Sequence, residues 1–284
     1  MRILILEKDE YVRYSLEKAL NEIEPNVALA PVDFDYNNIV EWMRYIERLM
    51  PTAVLYRGGV HSVHAGEKNV NYCFYLNADV TRMLMKACRN VDSEFIYMSS
   101  IQVFNGKKDA PYDERDLTCP INGYGKSKAK GEAIAREYEK TYIIRPGWLY
   151  GYYNDFIYKE LIKAKQNKKL NLNCNIYSNP IYIKDLAFDI YTMLLKQDYK
   201  TYHFYNDGFA SKAEIIKYVL NTFRMDANIE EMDSSETYDS RFYPEDLRLT
   251  TIYDSDLLNR DWHDAMNEYL FNILKDEKVL SLKK

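Results

Sequence analysis

Glycine is scarce in this sequence and is absent from its N-terminal fifth. The chain of 284 residues contains only 10 glycines, and the first of them is Gly58. A glycine-rich phosphate loop needs glycines at the end of the first strand, because the backbone there must approach the phosphate closely. Such a loop is therefore excluded before Gly58.

Cysteines and long apolar runs are also few. The four cysteines are widely spaced: Cys73, Cys88, Cys119 and Cys174. They include no CxxC pair, which favours reduced, packed thiols over a metal site or a disulfide framework. No apolar run approaches the roughly 20 residues of a membrane-spanning helix, and the run from Ile3 to Leu6 is too short for a signal peptide. We therefore expect a cytoplasmic protein that does not enter a membrane.

The composition is typical of a globular protein. Hydrophobic residues make up 47% of the chain and charged residues 29%, which argues against disorder. The formal net charge of −5 provides no basic field of the kind that a general nucleic-acid binder needs. Nucleic acid is therefore not among the expected partners.

Apolar clusters alternate with helical patterns in the first half of the chain. The expected strands are 1–6, 27–30, 53–56, 94–98 and 142–145, and the expected helices are 11–20, 38–50, 70–87 and 121–140. This alternation predicts an α/β fold, a Rossmann-type doubly wound parallel sheet with helices on both faces. In such sheets, ligands bind beyond the carboxyl ends of the strands.

The pattern is looser after Gly151. We expect helices at 156–165, 184–196, 212–223 and 263–274, strands at 170–172 and 202–205, and a long polar surface segment at 225–245. We therefore divide the chain into a Rossmann-like, degenerate dinucleotide-binding region (1–151) and a small C-terminal α/β substrate-binding subdomain (mostly 152–284). The two parts are expected to interleave as one compact unit.

One tyrosine–lysine pair has the spacing that acid–base chemistry requires. Tyr124 precedes Lys128 by four residues, which places both side chains on one face of a helix. A phenol with a pKa near 10 is a poor acid–base group at neutral pH, and a nearby ammonium favours its ionised form. The spacing alone is weak evidence, because Tyr14 and Lys18 share it in a chain with 27 tyrosines.

The surroundings of Tyr124 distinguish the two pairs. Six segments carry the pattern: 99–106 (SSIQVFNG), 111–114 (PYDE), 120–128 (PINGYGKSK), 131–132 (GE), 144–151 (IRPGWLYG) and 178–187 (SNPIYIKDLA). Together they resemble the dTDP-4-dehydrorhamnose reductase family of extended short-chain dehydrogenases/reductases. That family acts on nucleotide sugars with NAD(P)H, and Asn77 also matches one of its asparagines.

The resemblance implies roles for individual residues. Ser100 would polarise the substrate carbonyl, Tyr124 would donate the proton, and Lys128 would lower the pKa of the tyrosine. Gln102 and Trp148 would contact the sugar, although core packing explains Trp148 equally well. The implied cofactor is NADP or NAD, and its implied contacts are Asp33, Gly58, Gly59, Tyr124 and Lys128.

The sequence departs from the family at the first turn. The family has Gly-x-x-Gly-x-x-Gly there, and this chain has Glu7, Glu10 and Arg13 at the three glycine positions. Side chains would fill the space for the pyrophosphate, and the acids would repel it. The same acids also suit an ordinary helix start, where they favour the macrodipole. We therefore expect NAD(P) binding to be impaired or absent.

The loop after the third strand also departs from the family. Arg57 and His61 are bulky where the family has small residues, and they are either an anion site or plain loop residues. His61 and His64 have a spacing that a metal site can use, but no further ligand cluster accompanies them. We therefore assign no metal.

Three functions remain open from the sequence. The chain is a nucleotide-sugar reductase using Ser100, Tyr124 and Lys128, or a non-catalytic relative that serves as a binding or regulatory subunit, for instance in a polysaccharide pathway. A third interpretation keeps the nucleotide-sugar pocket without a nicotinamide. The expected partners are a nucleotide sugar and either a second copy of the chain or a pathway protein.

Overall fold

A central parallel sheet organises the molecule. The computed structural model describes residues 1–25, 27–29, 38–237, 240–253 and 260–275. Its strands are β1 (Arg2–Glu7), β2 (Ala28–Leu29), β3 (Ala53–Gly58), β4 (Glu94–Met98), β5 (Thr141–Pro146), β6 (Trp148–Tyr150), β7 (Leu170–Asn173), β8 (Tyr177–Ser178), β9 (Pro180–Tyr182), β10 (Thr201–Phe204), β11 (Ala210–Ser211), β12 (Ile229–Met232) and β13 (Asp246–Leu247). Six of them form one sheet in the order β10-β5-β4-β3-β1-β2, and every pairing in it is parallel. The predicted Rossmann-type fold is confirmed.

Helices cover both faces of this sheet. They are α1 (Glu10–Ile23), α2 (Ile39–Leu49), α3 (Val63–Lys68), α4 (Val70–Phe74), α5 (Val80–Asn90), α6 (Gly123–Ala135), α7 (Phe156–Lys165), α8 (Ile183–Lys196), α9 (Lys212–Phe223), α10 (Ser234–Thr237) and α11 (Trp262–Lys275). Alternate residues of β1 enter two different core clusters, because side chains in a strand point to opposite faces. Ile3 and Ile5 join one cluster, while Leu4 and Leu6 join the other. None of the helices in the described ranges is long and apolar enough to cross a membrane.

The predicted helix at 70–87 is interrupted. A π-helical turn, Tyr75–Asp79, separates α4 from α5. The Tyr56 hydroxyl donates to the Leu76 carbonyl at 2.7 Å, and the Tyr97 hydroxyl donates to the Asn77 carbonyl at 2.9 Å. Buried hydroxyls from two strands thus satisfy carbonyls in the wider turn, which a periodicity argument does not detect.

The predicted surface segment at 225–245 is wrong in part. It contains β12, which pairs in parallel with β7 from Leu170 to Asn173, and the short helix α10. The strand is only half-buried and carries Glu230 and Glu231 at its centre, so it lacks the apolar alternation that marks a strand. Backbone pairing, rather than side-chain burial, defines it.

The chain order of the strands reverses between β1 and β3. At such a switch point two loops diverge, and a crevice opens beyond the carboxyl ends of the strands. The register pairs Glu7 with Gly58, so the turn after β1 and the loop after β3 lie side by side. Core residues before and after Gly151 belong to one cluster, and β10 from the second half joins the main sheet. The division at residue 151 stays a prediction.

Candidate active site

A cavity of about 430 Å³ opens beside the carboxyl ends of the strands. It brings together four of the predicted site residues: Ser100, Gln102, Tyr124 and Trp148. These side chains come from the loop after β4, from the start of α6 and from β6. The same cavity is also lined by Arg57, His61 and Lys212.

Tyr124 lies in the first turn of α6, directly after the helix cap. The Asn122 side chain caps this helix by accepting from the Gly125 N–H at 2.7 Å, which fixes where the turn begins. Tyr124 is only 6% exposed, and its hydroxyl lies near the Ser100 side chain. Burial raises the pKa of Tyr124, while Ser100 and the Arg57 guanidinium act to lower it. Tyr124, Ser100 and Arg57 therefore line the same cavity, and the catalytic roles of the tyrosine and serine stay a prediction.

Lys128 points into the protein rather than lining the cavity. Its ammonium donates to the Arg57 carbonyl at 2.5 Å and to the Met98 carbonyl at 2.8 Å, and the residue is fully buried. Burial, together with repulsion from the Arg57 guanidinium, lowers the pKa of Lys128 to about 7. Lys128 therefore joins the ends of β3 and β4 to α6.

The lowered pKa of Lys128 predicts a pH-dependent stability. Its pKa is about 7 in the folded protein and 10.5 when unperturbed, so between these pH values the unfolded chain binds more protons. The free energy of unfolding should therefore rise with pH in this window, by up to about 1.4 kcal/mol per pH unit from this group. Urea denaturation at several pH values measures this change, and the free energy of unfolding of Lys128→Met should rise less with pH than that of the wild type. The exposed Lys126→Met is the control, and equal slopes for Lys128→Met and the wild type would contradict the prediction.

Gln102 and Trp148 both line the cavity, and each is held by a hydrogen bond to a neighbouring segment. The Asn122 amide donates to the Gln102 Oε1 at 2.8 Å, which ties this loop to the cap of α6. The backbone N–H of Trp148 donates to the Asn179 carbonyl at 2.9 Å, and the Trp148 side chain is partly buried. Both side chains border the space in front of Tyr124, which is where the resemblance puts the sugar.

The first turn is occupied by a carboxylate of the chain itself. Glu7 is buried, and its Oε2 accepts from the Arg57 guanidinium at 2.8 Å while its Oε1 lies 3.1 Å from the His61 Nε2. Burial alone would raise the pKa of Glu7, but Arg57 and His61 hold it well below the usual range. The sequence left open whether Arg57 and His61 are an anion site or plain loop residues, and in the structure both contact the Glu7 carboxylate.

The start of α1 has its anionic partners as well. The Asp9 Oδ1 accepts from the N–H groups of Tyr11 and Val12 at 3.0 and 3.4 Å, and the Asp9 N–H donates to the Glu7 Oε1 at 2.7 Å. Free N–H groups at a helix start are the usual binding site for a phosphate. In this chain two carboxylates use them.

The remaining positions of the glycine motif do not enter this cluster. Glu10 is exposed, and Arg13 forms an ion pair with Glu17 at 3.6 Å, one turn further along α1. In the described part of the chain, no group of three histidine, cysteine, aspartate or glutamate side chains is arranged to hold a metal ion.

Two of the predicted cofactor contacts, Gly58 and Lys128, lie side by side in the structure. Gly58 has φ +85°, and a Cβ on it would lie 2.2 Å from the Asn77 Oδ1 and 3.3 Å from the Lys128 Nζ. The space beside Gly58 is therefore filled by the protein, and glycine is needed there for packing and backbone conformation. Gly59 is partly buried in the following bend. Asp33 lies outside the described residues.

Two cations near the cavity were not assigned roles by the motif analysis. Arg57 acts on both Glu7 and Tyr124, and its sequence position gave only the alternatives of an anion site or a plain loop. Lys212 lines the cavity from the start of α9. A lysine at a helix start is unfavourable for the macrodipole, and this is the sequence feature that could have marked Lys212 as a functional candidate.

Comparisons with known proteins identify the family. The model of the RmlD substrate binding domain matches residues 1–274. The spore coat polysaccharide biosynthesis protein SpsK of Bacillus subtilis is 27% identical over 224 residues, which is 78% of this chain and 79% of that protein. A dTDP-4-dehydrorhamnose reductase structure from Clostridium acetobutylicum superposes with a TM-score of 0.88 at 23% identity, covering 96% of this chain and 99% of that one.

A second solved structure adds a bound cofactor. The dTDP-4-dehydrorhamnose reductase of Bacillus anthracis, in complex with NADP, has a TM-score of 0.86 at 24% identity over 95% of this chain and 99% of its own. At this identity the likeness shows the fold, while the family model covers nearly the whole sequence. The chain therefore belongs to the RmlD substrate binding domain family, whose members include the dTDP-4-dehydrorhamnose reductases.

Proposed function

We propose that this chain is a nucleotide-sugar reductase-like protein that binds a nucleotide sugar in the 430 Å³ cavity and binds NAD(P) weakly or not at all. The hydroxyls of Ser100 and Tyr124 would hold a carbonyl or hydroxyl oxygen of the sugar and move a proton to or from it. Gln102 and Trp148 would contact the sugar. The family and the name of the Bacillus subtilis relative support a role in polysaccharide biosynthesis.

The observation that carries the proposal is the buried Glu7 carboxylate at the switch point of the sheet. It pairs with Arg57 at 2.8 Å and takes the Asp9 N–H, so the residues of this turn do not fit the pyrophosphate of a dinucleotide. The reduction of a 4-keto sugar nucleotide, which dTDP-4-dehydrorhamnose reductases perform, needs a hydride from NAD(P)H, and the residues of this turn do not fit that cofactor.

The second candidate function is a non-catalytic binding or regulatory subunit, acting as a homodimer or with a pathway protein. The position of Lys128 favours it, because that ammonium is covered and donates to two backbone carbonyls instead of facing the cavity. On this interpretation the nucleotide-sugar pocket serves recognition alone.

Calorimetric titration tests the proposal. The wild type should bind dTDP-glucose, Trp148→Ala should weaken this binding about 10-fold through the loss of ring contact with the sugar, and NADPH should give no binding at millimolar concentration. The exposed Phe271→Ala is a matched aromatic control and should bind like the wild type. NADPH binding in the micromolar range, or turnover that requires NAD(P)H, would refute the weak-cofactor proposal. Absence of nucleotide-sugar binding would refute the pocket assignment.

A further inference from the structure

Lys212 is a cation whose position in the helix is locally unfavourable. It is the first residue of α9, directly after the cap Ser211, which forms a capping box with Glu214. The positive end of the helix macrodipole disfavours an ammonium at this position. Helix formation therefore does not explain a lysine at this position, so its contacts outside the helix must.

The surroundings of this ammonium are mainly aromatic. The Lys212 Nζ lies 5.5 Å from the centroid of the Trp148 ring and 5.7 Å from that of Phe156. Within the described ranges it forms neither an ion pair nor a hydrogen bond. The nearest acidic influence is Glu160, whose Oε1 is engaged by Lys163 at 2.7 Å. Burial lowers the pKa of Lys212, as expected for an ammonium whose lost hydration is not replaced.

Lys212 lies where two cavities meet. The larger one contains Ser100 and Tyr124, and a smaller cavity of about 170 Å³ extends beyond it. Five residues line both: Gln102, Trp148, Phe156, Lys212 and Tyr243. The two cavities are therefore adjacent, and Lys212 lies between them.

The smaller cavity differs from the larger one by containing a buried carboxylate. It is lined by Asn171, Asn173 and Glu160, and the Glu160 Oε2 is buried with no hydrogen-bond partner among the described residues. A free carboxylate oxygen accepts from a hydroxyl and repels an anion. An anionic group is therefore favoured in the larger cavity, and sugar or ribose hydroxyls are favoured in the smaller one.

We propose that Lys212 is a specificity-determining residue that pairs with an anionic oxygen group of the nucleotide-sugar ligand. This inference rests on the proposed function, since it requires a nucleotide sugar in the larger cavity. The group is a carboxylate on the sugar or a phosphate of the diphosphate, and both present the oxygens that a lysine ammonium binds. Pairing there replaces the hydration that the buried ammonium has lost.

Calorimetric titration with four probes distinguishes the two sources: UDP-glucuronic acid, UDP-glucose, dTDP and thymidine. If the group is a sugar carboxylate, Lys212→Met should weaken UDP-glucuronic acid at least 10-fold and leave UDP-glucose within 2-fold. If it is a phosphate, the variant should weaken both UDP-sugars and dTDP at least 10-fold and leave thymidine unchanged. Lys212→Arg should retain most of the affinity in either case.

Lys217→Met is the matched control. It removes a lysine from the same helix, but its ammonium pairs with Glu231 at the surface, so binding should be unchanged. Thermal unfolding checks each variant, and Lys212→Gln replaces Lys212→Met if the latter is destabilised. If the wild type binds the probes and neither Lys212→Met nor Lys212→Gln changes the affinity for any of them, the role of Lys212 is overturned and the proposed function stands. Failure of the wild type to bind any of the nucleotides would overturn the proposed function with it.

Discussion

Glu7→Gly is expected to lower the free energy of unfolding by about 3–5 kcal/mol, because it leaves a largely buried guanidinium without its carboxylate. The Glu7 side chain is 1% exposed and that of Arg57 is 16% exposed, so water screens the pair little. His61 also loses the oxygen that lies 3.1 Å from its Nε2. Urea denaturation at neutral pH measures the change.

The same variant is expected to gain affinity for phosphate. With the carboxylate removed, Arg57 and the Asp9 N–H face a space that an anion can enter. NADPH or pyrophosphate at millimolar concentration should therefore raise the melting temperature of Glu7→Gly by mass action and leave that of the wild type unchanged. Glu10→Gly, at an exposed position, is the control for the glycine itself. Equal stabilisation of the wild type by NADPH would show that Glu7 does not block the turn.

The ion pair of Glu7 and Arg57 also determines how the free energy of unfolding changes at acidic pH. The pKa of Glu7 in the folded protein lies far below its ordinary value of 4.5. Its contribution to stability is therefore present above that ordinary value and is lost as the pH falls towards the folded-state pKa. The free energy of unfolding of Glu7→Gly should consequently change less with pH than that of the wild type in this acidic range.

The regular elements were predictable because their signals are local. The strand 94–98 and the helices 156–165 and 212–223 begin and end where their sequence patterns do. The strand is a short run that is buried throughout, and each helix begins directly after a capping side chain, Asp155 or Ser211. β12 lacked such a signal, and the π-helical turn depends on hydroxyls that arrive from other strands.

The geometry of the first turn depends on pairing across the sheet. The absence of glycine was visible in the sequence, but the burial of Glu7 against Arg57 joins residues 50 positions apart. It follows from the register of β1 with β3, which sets Glu7 beside Gly58. The covered position of Lys128 has the same origin, because two strand ends supply its acceptors. Helical spacing placed Lys128 on the face of Tyr124, and only the tertiary fold decides which group the ammonium contacts.

A second buried ion pair fixes the helix that carries Tyr124. Glu132 in α6 accepts from the Arg145 Nε at 2.9 Å through Oε1 and from its second terminal nitrogen at 2.8 Å through Oε2. Both side chains are 2% exposed, and the Ser99 hydroxyl donates to Glu132 at 2.6 Å. This two-point contact ties α6 to β5 and to the loop that carries Ser100. The catalytic candidates therefore share one rigid support.

Glu132→Ala is expected to cost about 3–5 kcal/mol in the free energy of unfolding, because the Arg145 charge stays buried without a partner. Glu137→Ala is the matched control: its pair with Arg82 is half-exposed on both sides and should contribute less than about 1 kcal/mol. The double variant Glu132→Leu/Arg145→Met removes both charges and should recover most of the loss. A cost below about 1 kcal/mol for Glu132→Ala would mean that water reaches Arg145. If the double variant does not recover stability, the loss in Glu132→Ala comes from packing rather than from the unpaired charge.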